Sequence, residues 1–145
     1  MAEYYLIAQL PTLDGIGDST PIPITEERFL ELCDRFLKKK AQSEIRKLSL
    51  TPPPSPERSS YALVEAWNEG ERNLRFALGQ ARAAKMKKPF DIAKEQLPAE
   101  LIKIANMAVE MESPMEAEKF LSDHRLGFLE SLRPADAFSD YYYFP

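Results

Sequence analysis

This sequence predicts an all-α fold, on three observations. Apolar residues recur at three- and four-residue spacing through several segments, helix-start signals precede those segments, and proline-bearing stretches separate them. At 145 residues, with 44% hydrophobic and 29% charged side chains, the chain has the size of one domain able to bury its own core. The expectation is a single helical domain over residues 1–145, an antiparallel bundle with a short extended N-terminal segment.

After Met1-Ala2-Glu3 comes Tyr4-Tyr5-Leu6-Ile7-Ala8-Gln9-Leu10-Pro11. An export leader needs a basic start, a longer apolar centre and a small-residue cleavage site, whereas this segment starts acidic and stops at a proline. It therefore reads as part of the fold, a short strand or extended piece, with Tyr4 or Tyr5 packed near the C-terminal helices so that both termini share one core. Residues 11–24, PTLDGIGDSTPIPI, hold two glycines and three prolines and read as a connecting loop.

Thr25 then offers an N-cap, and Glu26 and Glu27 complement the positive end of a helix dipole. Phe29, Leu30, Leu32, Cys33, Phe36 and Leu37 share the helical spacing, Ile24 can staple onto Phe29, and Lys38–Lys40 suits a C-terminal end. This predicts an amphipathic helix over 26–39, followed by a weaker helical turn at Glu44–Leu48. Residues 51–58, TPPPSPER, lack the backbone donors that helix or strand pairing needs, so they read as a semi-rigid linker rather than a ligand for a proline-binding module.

Ser59 and Ser60 can cap the longest periodic segment, 61–87, where Leu63, Val64, Trp67, Leu74, Ala77, Leu78, Ala81 and Ala84 form one stripe. At ~1.5 Å per residue such a helix runs about 40 Å and would organise the domain. Gly70 and Glu71 fall inside the stripe, so a neighbouring helix can approach at Gly70, and the inward Glu71 carboxylate needs a partner, either Arg75 or Arg125. Lys85–Lys88 and Pro89 end this helix. Pro98 can open a helix over 98–111 that carries Leu101, Ile102, Ile104, Ala105, Met107, Ala108 and Met111. Ser113-Pro114-Met115-Glu116 is a capping box that starts a last helix at 115–132, with Phe120, Leu121, His124, Phe128 and Leu132 on one face. Arg133-Pro134 ends it, and residues 134–145 form an aromatic tail with Phe138, Tyr141, Tyr142, Tyr143 and Phe144.

Residue chemistry points away from catalysis. A balance of 19 basic against 23 acidic residues gives a net charge of −4, which disfavours a nucleic-acid partner. Cys33 is the single cysteine, so neither an intramolecular disulfide nor a multi-thiolate metal site can form, and a cytoplasmic setting fits. Its apolar neighbours mark it as a small buried hydrophobe rather than a reactive thiol. The apolar runs are far shorter than the roughly 20 residues that span a bilayer.

His124, the only histidine, lies between Phe120 and Phe128 and reads as a packing residue; no Ser or Cys nucleophile in an activating motif accompanies it, and no metal-ligand spacing does. Glu65, Glu69, Glu71, Glu110, Glu112, Glu116 and Glu118 are numerous enough for acid-base chemistry, yet most fall on solvated faces or beside a basic neighbour. Lys38–Lys40 and Lys85–Lys88 read as helix-end cations, and Gly15-Ile16-Gly17 as a turn that lacks the context of a phosphate cradle. No catalytic, cofactor-binding or metal residue is expected. Trp67, Glu71 and Arg125 are expected to be structural.

The Tyr4–Pro11 opening, the Phe29-Leu30-Glu31-Leu32-Cys33 helix, Trp67 with Glu69, and Arg125-Leu126-Gly127-Phe128-Leu129 occur in an order that resembles an uncharacterised bacterial family. That family is a domain of unknown function encoded beside subunits of V/A-type ATPases and distantly similar to the helical C (or d) subunit that caps the central stalk. The resemblance covers nearly the whole chain and implies no catalytic residues. Some members carry a longer insertion where this chain has Pro52–Pro56, and members usually continue past the aromatic tail into another apolar helix, where this chain stops at Pro145. Without that helix the Tyr141–Phe144 cluster would lack its cover.

The resemblance implies a non-catalytic helical accessory or stalk-associated component of a V/A-type ATPase, acting through protein contacts. It would be cytoplasmic and peripheral to the membrane. The alternative is a free-standing adaptor or homo-oligomer whose interface is Phe138, Tyr141, Tyr142, Tyr143 and Phe144.

Overall fold

The computed structural model describes residues 2–12, 17, 19–52, 59, 61–89 and 97–133. Among them are six helices and no strand: α1 (Ala2–Gln9), α2 (Glu26–Phe36), α3 (Lys39–Lys47), α4 (Ala62–Lys85), α5 (Ala99–Glu110) and α6 (Pro114–Ser131). Their contacts cluster into two compact units, where the sequence reading expects one domain. The described residues up to Leu48 belong to the first, and Ser49 to Arg133 form the second.

In the first unit the N-terminal segment is helical, which corrects the expectation of a strand or extended piece. A short, nearly continuous apolar run does not distinguish the two by periodicity. Tertiary burial decides it: Leu6 of α1 and Leu10 just past its end join a cluster with Leu32, Cys33, Ile24, Phe29, Phe36 and Ile45. Leu6 is fully buried, whereas Tyr4 and Tyr5 are 70% and 62% exposed and meet edge to face with ring centroids 6.0 Å apart. The expected burial of Tyr4 or Tyr5 is therefore corrected to burial of Leu6.

Thr25 caps α2, its Oγ1 accepting from the Arg28 N–H at 3.2 Å. The helix ends three residues before the expected Lys39. Leu37 turns into extended backbone, and the Gln42 side chain donates to the Leu37 and Asp34 carbonyls at 2.7 and 3.1 Å. These bonds satisfy carbonyls freed at the helix end. Lys38 thus becomes the N-cap of α3 and Lys39 and Lys40 lie in its first turn, correcting their assignment to a helix C-terminus.

In the second unit α4 is the longest helix. Ser59 accepts from the Tyr61 N–H through its hydroxyl while its own N–H donates to Glu65 Oε1 at 2.7 Å. The buried stripe of α4 contains Glu71, Leu74, Ala77, Leu78 and Ala81, and at its end Ala83 is buried where Ala84 was expected. Ala77 and Ala81 share a core with Ala105 and Ala108 of α5, small residues that let the two helices approach closely, and Leu121 of α6 completes it.

Lys85 Nζ donates to the Val109 carbonyl at 2.8 Å, so α4 and α5 bring their C-terminal ends together and run in the same direction. For this pair the expected antiparallel packing is therefore corrected to a parallel one. The capping signal at the start of α6 forms, with Ser113 Oγ accepting from the Glu116 N–H at 3.4 Å, and α6 then runs back antiparallel to α4. No helix among the described residues is long and apolar enough to cross a membrane.

Candidate functional site

A cleft of about 560 Å³ opens in the second unit between the middle of α4, the start of α5 and the second half of α6. Helix geometry explains its lining. Residues 66–74 bring Ala66, Glu69, Gly70, Glu71, Asn73 and Leu74 to it over two turns of α4, and His124, Arg125, Gly127, Phe128, Ser131 and Leu132 do the same from α6. Pro98, Glu100 and Leu101 close the third side at the N-terminus of α5.

The chemistry concentrates on Glu71, which is 2% exposed. Of the two partners the sequence offers it, the structure supplies Arg125, whose Nε donates to Glu71 Oε1 at 2.9 Å. Arg75 turns away and donates to the Leu50 carbonyl at 3.4 Å. The second Glu71 oxygen, Oε2, is buried and has no hydrogen-bond partner among the described residues. A buried carboxylate with half its acceptor capacity idle is uncommon in folded proteins.

Phe128 lines the same cleft. Its ring stacks on Trp67 with centroids 6.2 Å apart and lies over Gly70, the close approach expected at that glycine. His124 is half-buried and borders the same cleft, but it makes no hydrogen bond to Glu71. No group of three or more His, Cys, Asp or Glu among the described residues could hold a metal ion.

Cys33 lies in the first unit, 1% exposed beside Leu6 and Leu32. Burial pushes its thiol pKa up from 9.0, the neighbouring Asp34 charge adds to that, and Arg46 opposes it. The thiol is a packed, protonated group at neutral pH.

Glu71 and Arg125 thus meet in one cleft, and Trp67 adjoins it only through its stack on Phe128. Periodicity marked them one helix at a time, but the cavity depends on how α5 and α6 stack. Asn73, Glu100 and Gly127 went unremarked as cleft residues; the only signal was that Gly127, like Gly70, leaves a helix surface without a side chain. Phe138, Tyr141, Tyr142, Tyr143 and Phe144, the expected interface, lie outside the described residues. A scan against known protein families, a search of characterised proteins and a search of solved structures each find no match.

Proposed function

We propose that this protein is a non-catalytic helical interaction module that serves as an accessory or stalk-associated component of a V/A-type ATPase. One observation carries the reading. Tyr4 and Tyr5 belong to the segment that anchors the family resemblance, and both stand exposed on a helix held down by Leu6. Exposed tyrosines on a fixed backbone are well suited to protein interfaces, because they offer a large contact area at little entropic cost. Met107 of α5 and Met115 and Leu126 of α6 add exposed apolar side chains. On this reading the protein is cytoplasmic and peripheral to the membrane through its ATPase partners.

The test is co-purification from the native host. ATPase subunits should accompany the tagged wild-type protein, and the Tyr4→Ala/Tyr5→Ala double variant should lose them while keeping its helical circular dichroism. A pull-down containing no ATPase subunit would remove the reading.

A further inference from the structure

We propose that the cleft between α4, α5 and α6 binds a cationic N–H donor on an apolar stem, an alkylammonium or alkylguanidinium group, which donates to Glu71 Oε2. The proposal rests on the cleft alone and does not depend on the ATPase reading. Arg125 Nε satisfies Glu71 Oε1, while the buried Oε2 is left without a donor among the described residues. A buried acceptor of this kind favours any group that can supply a hydrogen bond in the same low-dielectric surroundings.

The charge around the cleft selects the sign of that group. Glu69, Glu71 and Glu100 line it against one guanidinium, that of Arg125, whose Nε is already committed. An anion would meet three carboxylates, whereas a cation finds a net negative lining. Leu74, Leu101 and Phe128 give the cleft an apolar wall that suits a hydrocarbon stem, alongside the polar Asn73, His124 and Ser131. The volume of about 560 Å³ is within the range of small-ligand sites, far more than one water occupies.

Two sources share this chemistry: a free amine or guanidine, and a Lys or Arg side chain of another protein. The experiment titrates the full-length protein with n-pentylammonium, n-butylguanidinium, neutral n-pentanol, and acetylated, amidated Leu-Lys-Leu and Leu-Arg-Leu peptides. Heat and amide chemical shifts are followed. At least one cation should bind about tenfold or more tighter than pentanol, with shifts centred on Glu71, Arg125 and Phe128. Free cations binding without the peptides assigns the site to a small molecule, and peptide binding assigns it to a partner side chain.

Glu71→Gln should abolish the preference over pentanol. Gly127→Met should block binding without touching the ion pair, since a Cβ at Gly127 meets nothing within 4 Å and the new side chain can enter open space. That variant keeps the test decisive even if Glu71→Gln fails to fold. Absence of cation binding, a pentanol affinity equal to the cations', or unchanged binding in a folded Gly127→Met protein would each overturn the proposal, the first meaning that water alone serves Oε2.

Discussion

The Phe128 ring occupies the space a side chain at Gly70 would need. A Cβ on Gly70 would stand 2.5 Å from its Cε1 and 2.6 Å from its Cζ, and Trp67 stacks on the same ring. Replacing glycine by alanine in a helix ordinarily stabilises by up to about 1 kcal/mol. Here overpacking, at about 1–3 kcal/mol, outweighs that gain. Gly70→Ala should lower unfolding stability by about 1 kcal/mol, the balance of overpacking and propensity, whereas Gly127→Ala, where an added Cβ meets nothing within 4 Å, should raise it by several tenths. Urea unfolding of both variants checks the pair, and Phe128→Leu in the Gly70→Ala background should recover the loss.

Removing one member of the Glu71–Arg125 pair strands the other charge, with side chains that are 2% and 16% exposed. Glu71→Ala should cost about 3–5 kcal/mol, the scale for a broken buried pair. The double variant Glu71→Leu/Arg125→Met should cost clearly less, because neither charge remains buried. Equal stability of wild type and Glu71→Ala in thermal unfolding would refute the importance of the pair.

Cys33 ties the first unit to pH. Its folded pKa lies above 9.0, so the native state holds the thiol proton more tightly than the unfolded chain does. That contribution to stability is complete below pH 9.0 and is lost as pH rises through the raised value. Stability measured from pH 7 upward should fall in this alkaline range, and Cys33→Ala should flatten the fall. At neutral pH a thiol reagent should modify Cys33 only slowly until denaturant is added.

Gln42 is the junction of α2 and α3, since one side-chain amide donates to both the Leu37 and Asp34 carbonyls. Gln42→Ala should destabilise by about 1 kcal/mol, the usual net worth of such hydrogen bonds. Arg46→Ala, which removes only the half-exposed bridge to Asp34, should cost well under that. Denaturation midpoints of the two variants give the comparison.

Where local chemistry decides structure, the sequence was readable. Ser113-Pro114-Met115-Glu116 carries its own helix start, Thr25 caps α2, and the apolar stripe of α4 holds to the spacing of a helix. Where a distant contact decides, it was not. Nothing near Lys38 announces that Gln42 will reach back and end α2, and the N-terminal segment is helical up to Gln9 because Leu6 finds Leu32 and Cys33. The cleft lies at the far end of the same scale. Glu71 could be marked as needing a partner from α4 alone, but only the return of α6 chooses Arg125 over Arg75 and leaves Oε2 unserved.

The shared direction of α4 and α5 carries an electrostatic consequence. Two parallel helices set their negative dipole ends side by side, an arrangement that repels, and Lys85 bridges that end from α4 to the Val109 carbonyl with Arg82 in the same last turn. Lys85 and Arg82 are exposed, so salt can screen what they contribute, while the alanine seam of Ala77, Ala81, Ala105 and Ala108 is indifferent to ionic strength. The helix pair therefore has an ion-sensitive tip on an ion-insensitive shaft, and rising salt should fray it from Lys85 inward before the core responds.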